Sequence, residues 1–210
     1  MDEQGWLNGV ERRPSPNFNQ RPAGVAIDLL VIHAISLPPG EFGGPWIDAL
    51  FQNRLEPDAH PYFAGMANLR VSSHLLIRRD GRLIQYVPLM ERAWHAGRSQ
   101  FAGRPECNDF SIGVELEGTD FIPFTGAQYA SLIRLTHRLR HLFPGIGPGR
   151  IQGHSDIAPG RKTDPGPYFD WPGYLTAIGD RPESRTAALT SAAVPTPAVP
   201  AESDNHQPHS

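Results

Sequence analysis

The sequence predicts an α/β domain built on one β-sheet with mixed strand pairing. Three observations favour this class. The β-branched, apolar run at 28–33 has the composition of a buried strand. Apolar residues recur with period two over 110–117, as in a second strand, and with helical period over 129–142, as in an amphipathic helix. We therefore expect several strands in one sheet with that helix packed on it.

Length and composition indicate one domain with a tail. The chain has 210 residues, which suits a single core, and its 21 Gly and 22 Pro indicate many loops. A net charge of −3 gives no basic field for nucleic acid or anionic lipid, so we expect neither partner. Cys107 is the single cysteine, which excludes an intrachain disulfide and suits a reducing compartment.

No apolar run approaches the roughly 20 residues that span a bilayer, and the N-terminus lacks a signal-like apolar region. We therefore expect a soluble, cytoplasmic protein. From about Pro182 the composition turns to Ala, Pro, Ser and Thr without a hydrophobic period, which is typical of disorder. The predicted organisation is a domain over 1–180 and a disordered tail over 181–210, whose His206 and His209 we exclude as ligands.

The predicted elements follow in order along the chain. The first strand ends at His33, and a helix is expected over 46–55. Apolar runs at 71–78 and 83–87 flank Asp80-Gly81, a strong hairpin signal. The strand at 110–117 carries Glu115 and Glu117 on its polar face.

The helix after Thr125 begins with a capping-box pattern, in which Gln128 stands three residues on, and ends before Pro144-Gly145. His137 and His141 lie four apart on this helix, a spacing that a metal pair can use. They lie among arginines and outside any HExxH pattern, so we interpret them as partly exposed helix residues.

The loop at 153–166, GHSDIAPGRKTDPG, concentrates polar chemistry. Catalytic zinc takes three N, O or S ligands and keeps a fourth position for water, and His33, His154 and Asp164 could supply the three. Glu115 could then accept a proton from the water and pass it to a leaving amine, and Lys162 could stabilise a developing oxyanion.

Spacing leaves alternatives open at this point. Asp156 is as able as Asp164 to bind a metal with His154. The residues also have structural interpretations, in which His33 is a satisfied histidine at a strand end, Glu115 pairs with an arginine, and the loop is merely braced by its polar side chains.

Five segments resemble a known family: PSPNF at 14–18, VIHAISLPPGEFG at 31–43, RAWHAG at 92–97, NDFSIGVELEGTD at 108–120 and GHSDIAPGRKTDPG at 153–166. The family is that of the AmpD-type cytosolic 1,6-anhydro-N-acetylmuramyl-L-alanine amidases of bacterial cell-wall recycling. The resemblance extends from about residue 5 to 174. It implies the fold of type 2 amidases and peptidoglycan-recognition proteins, with a central mixed β-sheet flanked by helices and a zinc site in a surface groove.

Carried over by residue, the resemblance implies zinc ligands His33, His154 and Asp164, with Glu115 as general base and acid and Lys162 at the oxyanion. It thus selects Asp164 over Asp156. The implied substrate is the amide between the lactyl group of 1,6-anhydro-N-acetylmuramic acid and L-alanine in a muropeptide. Substrate contacts are expected from four residues, with Trp94 and His95 on the sugar side and Tyr62 and Arg70 on the peptide side.

One departure from the family, at Ala34, and one further residue, Glu106, bear on function. Members of the family have Asn where this chain has Ala34, which removes a polar contact beside a ligand. Glu106 is an acid near the expected path of an anionic peptide stem.

The alternatives to a monomeric zinc amidase are a non-catalytic muropeptide-binding module on the same fold and a protein-interaction scaffold that uses the tail. The long segment 38–67, rich in Gly and Pro, is a candidate lid.

Overall fold

The computed structural model describes residues 1–66 and 68–190. Within them the strands are β1 (Glu11–Arg12), β2 (Phe18–Asn19), β3 (Leu29–Ile35), β4 (Leu75–Ile77), β5 (Leu83–Gln85), β6 (Arg92–Ala93), β7 (Gln100–Phe101), β8 (Arg104–Pro105), β9 (Ser111–Glu117) and β10 (Ile151–Gly153). The α-helices are α1 (Trp46–Phe51), α2 (Gly126–Leu142), α3 (His154–Ile157), α4 (Trp171–Ala177) and α5 (Pro182–Thr190). Short 3-10 turns cover Pro57–Ala59, Pro61–Met66 and Cys107–Asp109.

A six-stranded sheet in the order β1-β5-β4-β9-β3-β10 forms the centre of the domain. Neighbouring strands in this sheet run parallel, except in the β4–β5 hairpin, where they are antiparallel. The predicted mixed pairing and the predicted hairpin are therefore both confirmed. Strands β9 and β3 lie side by side over their full seven-residue lengths, so the centre of the sheet is also its most regular part.

Apolar side chains cover both faces of this sheet. On one face the largest core cluster joins β3, β4 and β9 to α2 and α4, through residues such as Ile32, Val114, Leu135 and Tyr174. On the other face, Leu76 and Ile84 belong to the cluster that holds α1. Burying a Leu or Ile fully contributes roughly 1.5–3 kcal/mol. The predicted arrangement of a central sheet flanked by helices is confirmed.

Helix α2 begins as its sequence predicts. The Thr125 hydroxyl accepts from the backbone N–H of Gln128 at 3.1 Å, and the Gln128 side chain accepts from the Thr125 N–H at 3.0 Å. His137 and His141 are exposed on this helix, as expected. Helix α1 ends at Phe51, earlier than the predicted residue 55, because Asn53 adopts a left-handed φ of 57° that a helix cannot continue through.

The polar side of β9 is buried, which its alternating pattern does not indicate. Glu117 is 1% exposed and accepts hydrogen bonds from Arg78 Nη1 at 2.9 Å and from the backbone N–H of Gly43 at 2.7 Å. Arg78 Nη2 also donates to Asp48 of α1 at 2.9 Å. These charges therefore attach α1 and the loop before it to the sheet.

The first part of the segment that was predicted to be a disordered tail, 181–210, is helical. Residues Pro182–Thr190 form α5, in which Arg185 pairs with Asp156 and lies 3.9 Å over the ring of Trp171. Alanine has the highest intrinsic helix propensity, and Ala188 and Leu189 also pack against a core cluster. The rest of the tail, 191–210, lies outside the described residues. Among the described helices, none is long and apolar enough to cross a membrane.

Candidate metal centre

Three parallel strands bring the first functional side chains to one edge of the sheet. His33 lies on β3 and is the register partner of Glu115 on β9. Gly153 at the end of β10 pairs with Ile32 of β3, so His154 follows directly beside His33. Ligand sites in such sheets form outside the carboxyl ends of the strands, and this edge is where those ends meet.

Three acceptor atoms converge at this edge. His33 Nδ1 lies 3.0 Å from His154 Nδ1 and 3.2 Å from Asp164 Oδ2, and His154 Nδ1 lies 3.1 Å from the same Asp164 oxygen. Among the described residues, these three are the group of potential metal ligands with atoms all within 4.8 Å of one another. The structure thus brings together the three predicted ligands.

Asp164 reaches the centre through the loop after α3. The backbone N–H of Ser155 donates to the Asp164 carbonyl at 2.9 Å, which ties the loop to the start of α3. Asp156 has a different role, because it accepts from the Gly153 N–H at 2.6 Å and pairs with Arg185. These two partners hold the Asp156 carboxylate where it connects α3 to α5. Asp164, whose oxygen lies beside both histidines, is therefore the better candidate ligand.

The donor set fits a divalent metal. His154 Nε2 lies 3.0 Å from the Ala96 carbonyl, so it donates there and its Nδ1 carries a lone pair. That lone pair faces the Asp164 carboxylate, which is also an acceptor. Two acceptors at this distance repel each other unless a cation or proton lies between them. Two imidazoles and one carboxylate are also a set that catalytic zinc uses.

The electrostatics of the centre favour metal-binding protonation states. Burial lowers the pKa of His33 to about 4, although Asp164 opposes the shift. Burial alone would raise the pKa of Asp164, but the influence of the adjacent imidazoles of His154 and His33 outweighs it and lowers that pKa well below its usual range. A neutral imidazole and an ionised carboxylate are the forms that bind metals.

Glu115 lies beside the three acceptors. It is 8% exposed, lines the same cavity, and its Oε2 has no hydrogen-bond partner among the described residues. Burial, followed by the negative charge of Asp164, raises the pKa of Glu115 well above its usual value, and Lys162 opposes the shift. A carboxylate with a raised pKa and a free oxygen is suited to proton transfer.

The cavity at the centre has a volume of about 260 Å³. Lys162 lines it while remaining exposed, and Trp94 lines it half-buried, with its indole N–H donating to Asn19 at 2.7 Å. Ala34 borders it and a second, neighbouring cavity of about 640 Å³. The predicted cation and one predicted aromatic residue therefore lie at the metal centre.

The other expected substrate residues lie elsewhere. Tyr62 is half-exposed in the neighbouring 640 Å³ cavity. Arg70 is exposed and is not among the residues that line either cavity. Glu106 borders a separate cavity of about 310 Å³ with Arg98 and Arg161, so this acid does not line the cavity of the metal centre.

His95 is buried at this cavity against one of the candidate ligands. It lines the cavity but is only 9% exposed, and its Nδ1 lies 2.9 Å from His33 Nε2. Its other nitrogen lies 3.3 Å from the hydroxyl of Ser111. Ser111 was not among the predicted site residues, although the period of β9 places it on the same side as Glu115.

Comparison with known proteins places the chain in a family. A family model described as N-acetylmuramoyl-L-alanine amidase matches residues 23–167. The 1,6-anhydro-N-acetylmuramyl-L-alanine amidase AmpD of Escherichia coli is 61% identical over 169 residues, which cover 80% of this chain and 92% of the relative. The AmpD of Citrobacter freundii is 59% identical, covering 80% and 90%.

Solved structures agree with these matches. A crystal structure of a selenomethionine derivative of AmpD superposes with a TM-score of 0.81 at 56% identity, covering 85% of this chain and 99% of that one. A complex of the Escherichia coli amidase AmiD with anhydro-N-acetylmuramic acid-L-Ala-D-γ-Glu-L-Lys has a TM-score of 0.55 at 28% identity, covering 86% of this chain and 63% of that one. The fold and the sequence thus point to the same group of enzymes.

Proposed function

The chain belongs to the N-acetylmuramoyl-L-alanine amidase family, resembling its AmpD-type members, and we propose that it is a zinc-dependent hydrolase of anhydromuropeptides. The bond cleaved is the amide between the lactyl group of 1,6-anhydro-N-acetylmuramic acid and L-alanine, in peptidoglycan recycling. The observation that carries the proposal is the convergence of His33 Nδ1, His154 Nδ1 and Asp164 Oδ2 beside buried Glu115.

The proposed ligands are His33, His154 and Asp164, one zinc ion per chain. Zinc bound in such a site acts as a Lewis acid and lowers the pKa of a water to about 7. Glu115 accepts the proton of the attacking water on its unpartnered oxygen and delivers it to the departing amine of L-alanine. Its raised pKa supports this role, because a carboxyl group must hold the proton between the two transfers.

Lys162 contributes positive charge at the same cavity. Attack on the amide carbonyl places negative charge on its oxygen, and a fixed cation nearby stabilises that charge by several kcal/mol. Lys162 is exposed, so solvent screens its charge until substrate fills the cavity. The proposed role of Lys162 is therefore strongest in the substrate complex.

The substrate contacts are assigned by position. Trp94 lines the cavity and offers an aromatic face for the sugar. Tyr62, in the neighbouring cavity, is assigned to the peptide side, and exposed Arg70 to the carboxylates further along the peptide stem. His95 keeps a place at the cavity, but its contact with His33 gives it a role at the metal centre.

The proposed setting follows from the remaining features. Muropeptides are small molecules, and the net charge of −3 favours no nucleic acid partner. The single cysteine suits a reducing compartment. We accordingly propose a cytoplasmic enzyme, and we further propose that it acts as a monomer.

The test is release of the stem peptide from a purified anhydro-N-acetylmuramyl tripeptide, followed by mass spectrometry, with protein loaded with one equivalent of zinc. We expect two products, the sugar acid and the intact peptide, and loss of cleavage after chelation that zinc restores. Binding of the muropeptide without cleavage would identify the non-catalytic module instead. Neither binding nor cleavage would leave the protein-interaction alternative.

A further inference from the structure

A chain of hydrogen bonds leads away from the metal centre through His33. His33 Nε2 lies 2.9 Å from His95 Nδ1, and His95 Nε2 lies 3.3 Å from Ser111 Oγ. Ser111 Oγ lies 2.6 Å from the backbone carbonyl oxygen of Cys107. All four residues are buried, with at most 9% of their surface exposed, so solvent does not compete for these bonds.

The Cys107 carbonyl, at the end of this series of hydrogen bonds, fixes the direction of each bond in the series. A carbonyl oxygen can only accept, so the Ser111 hydroxyl donates to Cys107. Ser111 then presents a lone pair to His95, whose proton therefore lies on Nε2. His95 Nδ1 is left as an acceptor, and it takes the proton on His33 Nε2.

This direction determines the form of the metal ligand. With its proton on Nε2, neutral His33 carries its lone pair on Nδ1, the atom that faces His154 and Asp164. We propose that His95 and Ser111 are positioning residues that hold His33 in the tautomer and ring orientation required for metal binding. This inference rests on the metal site of the proposed function, and it assigns a role to two residues outside the ligand set.

The backbone of β9 is shaped to admit the His95 ring. A Cβ atom on Gly113 would lie 2.6 Å from His95 Cγ and 2.7 Å from its Nδ1, closer than any real contact. The glycine thus lets the ring lie against the strand between Ser111 and Glu115. One face of β9 therefore supplies both Glu115, the proposed general base, and Ser111, which holds His95.

The loop that carries His95 is fixed independently. The backbone N–H groups of His95 and Ala96 both donate to Asn108 Oδ1, at 3.1 and 2.8 Å. The adjacent Ala96 carbonyl accepts from His154 Nε2. His154 is thus oriented by a carbonyl directly, whereas His33 is oriented through two side chains. Ligand histidines commonly donate their second N–H to a carbonyl or carboxylate, and losing such a partner weakens metal binding roughly 10–100-fold.

The direct test is the proton position on each histidine. Long-range ¹H–¹⁵N spectra of the unmodified protein, metal-free and zinc-loaded at neutral pH, should show His33 and His95 each protonated on Nε2 and not on Nδ1. A proton on His33 Nδ1, or zinc bound through His33 Nε2, overturns the inference. Failure of the protein to bind zinc would instead count against the proposed function, so the two failures are distinguishable.

Variants test the consequence for metal affinity, measured by competition with a chromophoric chelator. We expect His95→Leu to raise the zinc dissociation constant roughly 10–100-fold and His95→Asn, whose Oδ1 can replace the acceptor Nδ1, to recover most of it. Ser111→Ala should weaken binding in the same direction. Ser131→Ala is the matched control, because it also removes a hydroxyl that donates to a carbonyl, that of Gly81 at 2.7 Å, away from the centre. Wild-type affinity in both His95→Leu and Ser111→Ala overturns the inference.

Discussion

His33 and Glu115 are register partners on neighbouring parallel strands, and both line one cavity. Directly paired residues of adjacent strands point to the same side of a sheet. The proposed metal ligand and the proposed general base are therefore held at a separation that the sheet itself sets. Rigid placement of this kind is what catalytic groups require.

The separate roles of these two residues predict the behaviour of Glu115→Gln. The variant should bind zinc as the wild type does, because Glu115 is not among the converging acceptors. Its kcat should fall by roughly 10²–10⁴, the usual contribution of a general acid or base. Metal content and peptide release from the anhydromuropeptide check both parts. Glu106→Gln is the matched control and should keep near-wild-type kcat; an equal loss there would contradict the assignment.

The two aspartates of the loop predict opposite outcomes. Asp164→Asn should lower the zinc content sharply, since it removes an anionic ligand. Asp156→Asn should retain zinc but lower the free energy of unfolding by about 1–3 kcal/mol, because a charged hydrogen-bond partner of Gly153 and Arg185 is lost. Metal analysis and urea unfolding of both variants measure the difference. Zinc loss by Asp156→Asn with retention by Asp164→Asn would reverse the ligand assignment.

Buried histidines predict how stability depends on pH. Burial lowers the pKa of His74 to about 3, so below pH 6.5 the unfolded chain binds a proton there that the folded chain does not. The free energy of unfolding should therefore decrease as pH falls from 6.5 towards 3, by about 1.4 kcal/mol per pH unit from this residue. His33 acts in the same direction down to about pH 4.

Glu115 opposes this trend, because its raised pKa lets the folded chain bind a proton above pH 4.5 that the unfolded chain has released. Urea unfolding of metal-free protein between pH 5 and 7 measures the sum. His74→Gln should reduce the pH dependence of the free energy of unfolding by up to about 1.4 kcal/mol per pH unit, the contribution of one proton. His137→Gln, on the exposed face of α2, should leave this pH dependence unchanged. Equal slopes in the wild type and His74→Gln would contradict a neutral buried His74.

Ala34 predicts a gain of function. It borders both cavities next to His33, at a position where the resemblance to the amidase family implies Asn. Ala34→Asn should restore a hydrogen bond to substrate worth about 0.5–1.5 kcal/mol, which corresponds to roughly a 2- to 12-fold rise in kcat/KM. Ala34→Leu adds the same number of heavy atoms, branched at the same carbon, without the amide and should give no gain. Equal effects of the two substitutions would show that the cavity responds to volume alone.

The sequence correctly predicts the elements whose signals are local. The alternation of β9, the Asp80-Gly81 hairpin and the capping box at Thr125 depend on neighbours within a few residues, and all three are present. It also placed the right kinds of ligand in the chain, and the family resemblance selected Asp164. Helix α5 was not predicted because its stability comes from Asp156 and Trp171, distant partners that composition does not reveal.

Which side chains meet depends on long-range packing that no local pattern reports. His33 and Asp164 are 131 positions apart, and only the order of strands β9, β3 and β10 brings them within 3.2 Å. The same holds for His95, whose contact with His33, 62 positions away, no sequence pattern predicts. Periodicity reports which face of an element a side chain occupies, whereas contacts across a sheet depend on strand order and register, which long-range packing sets.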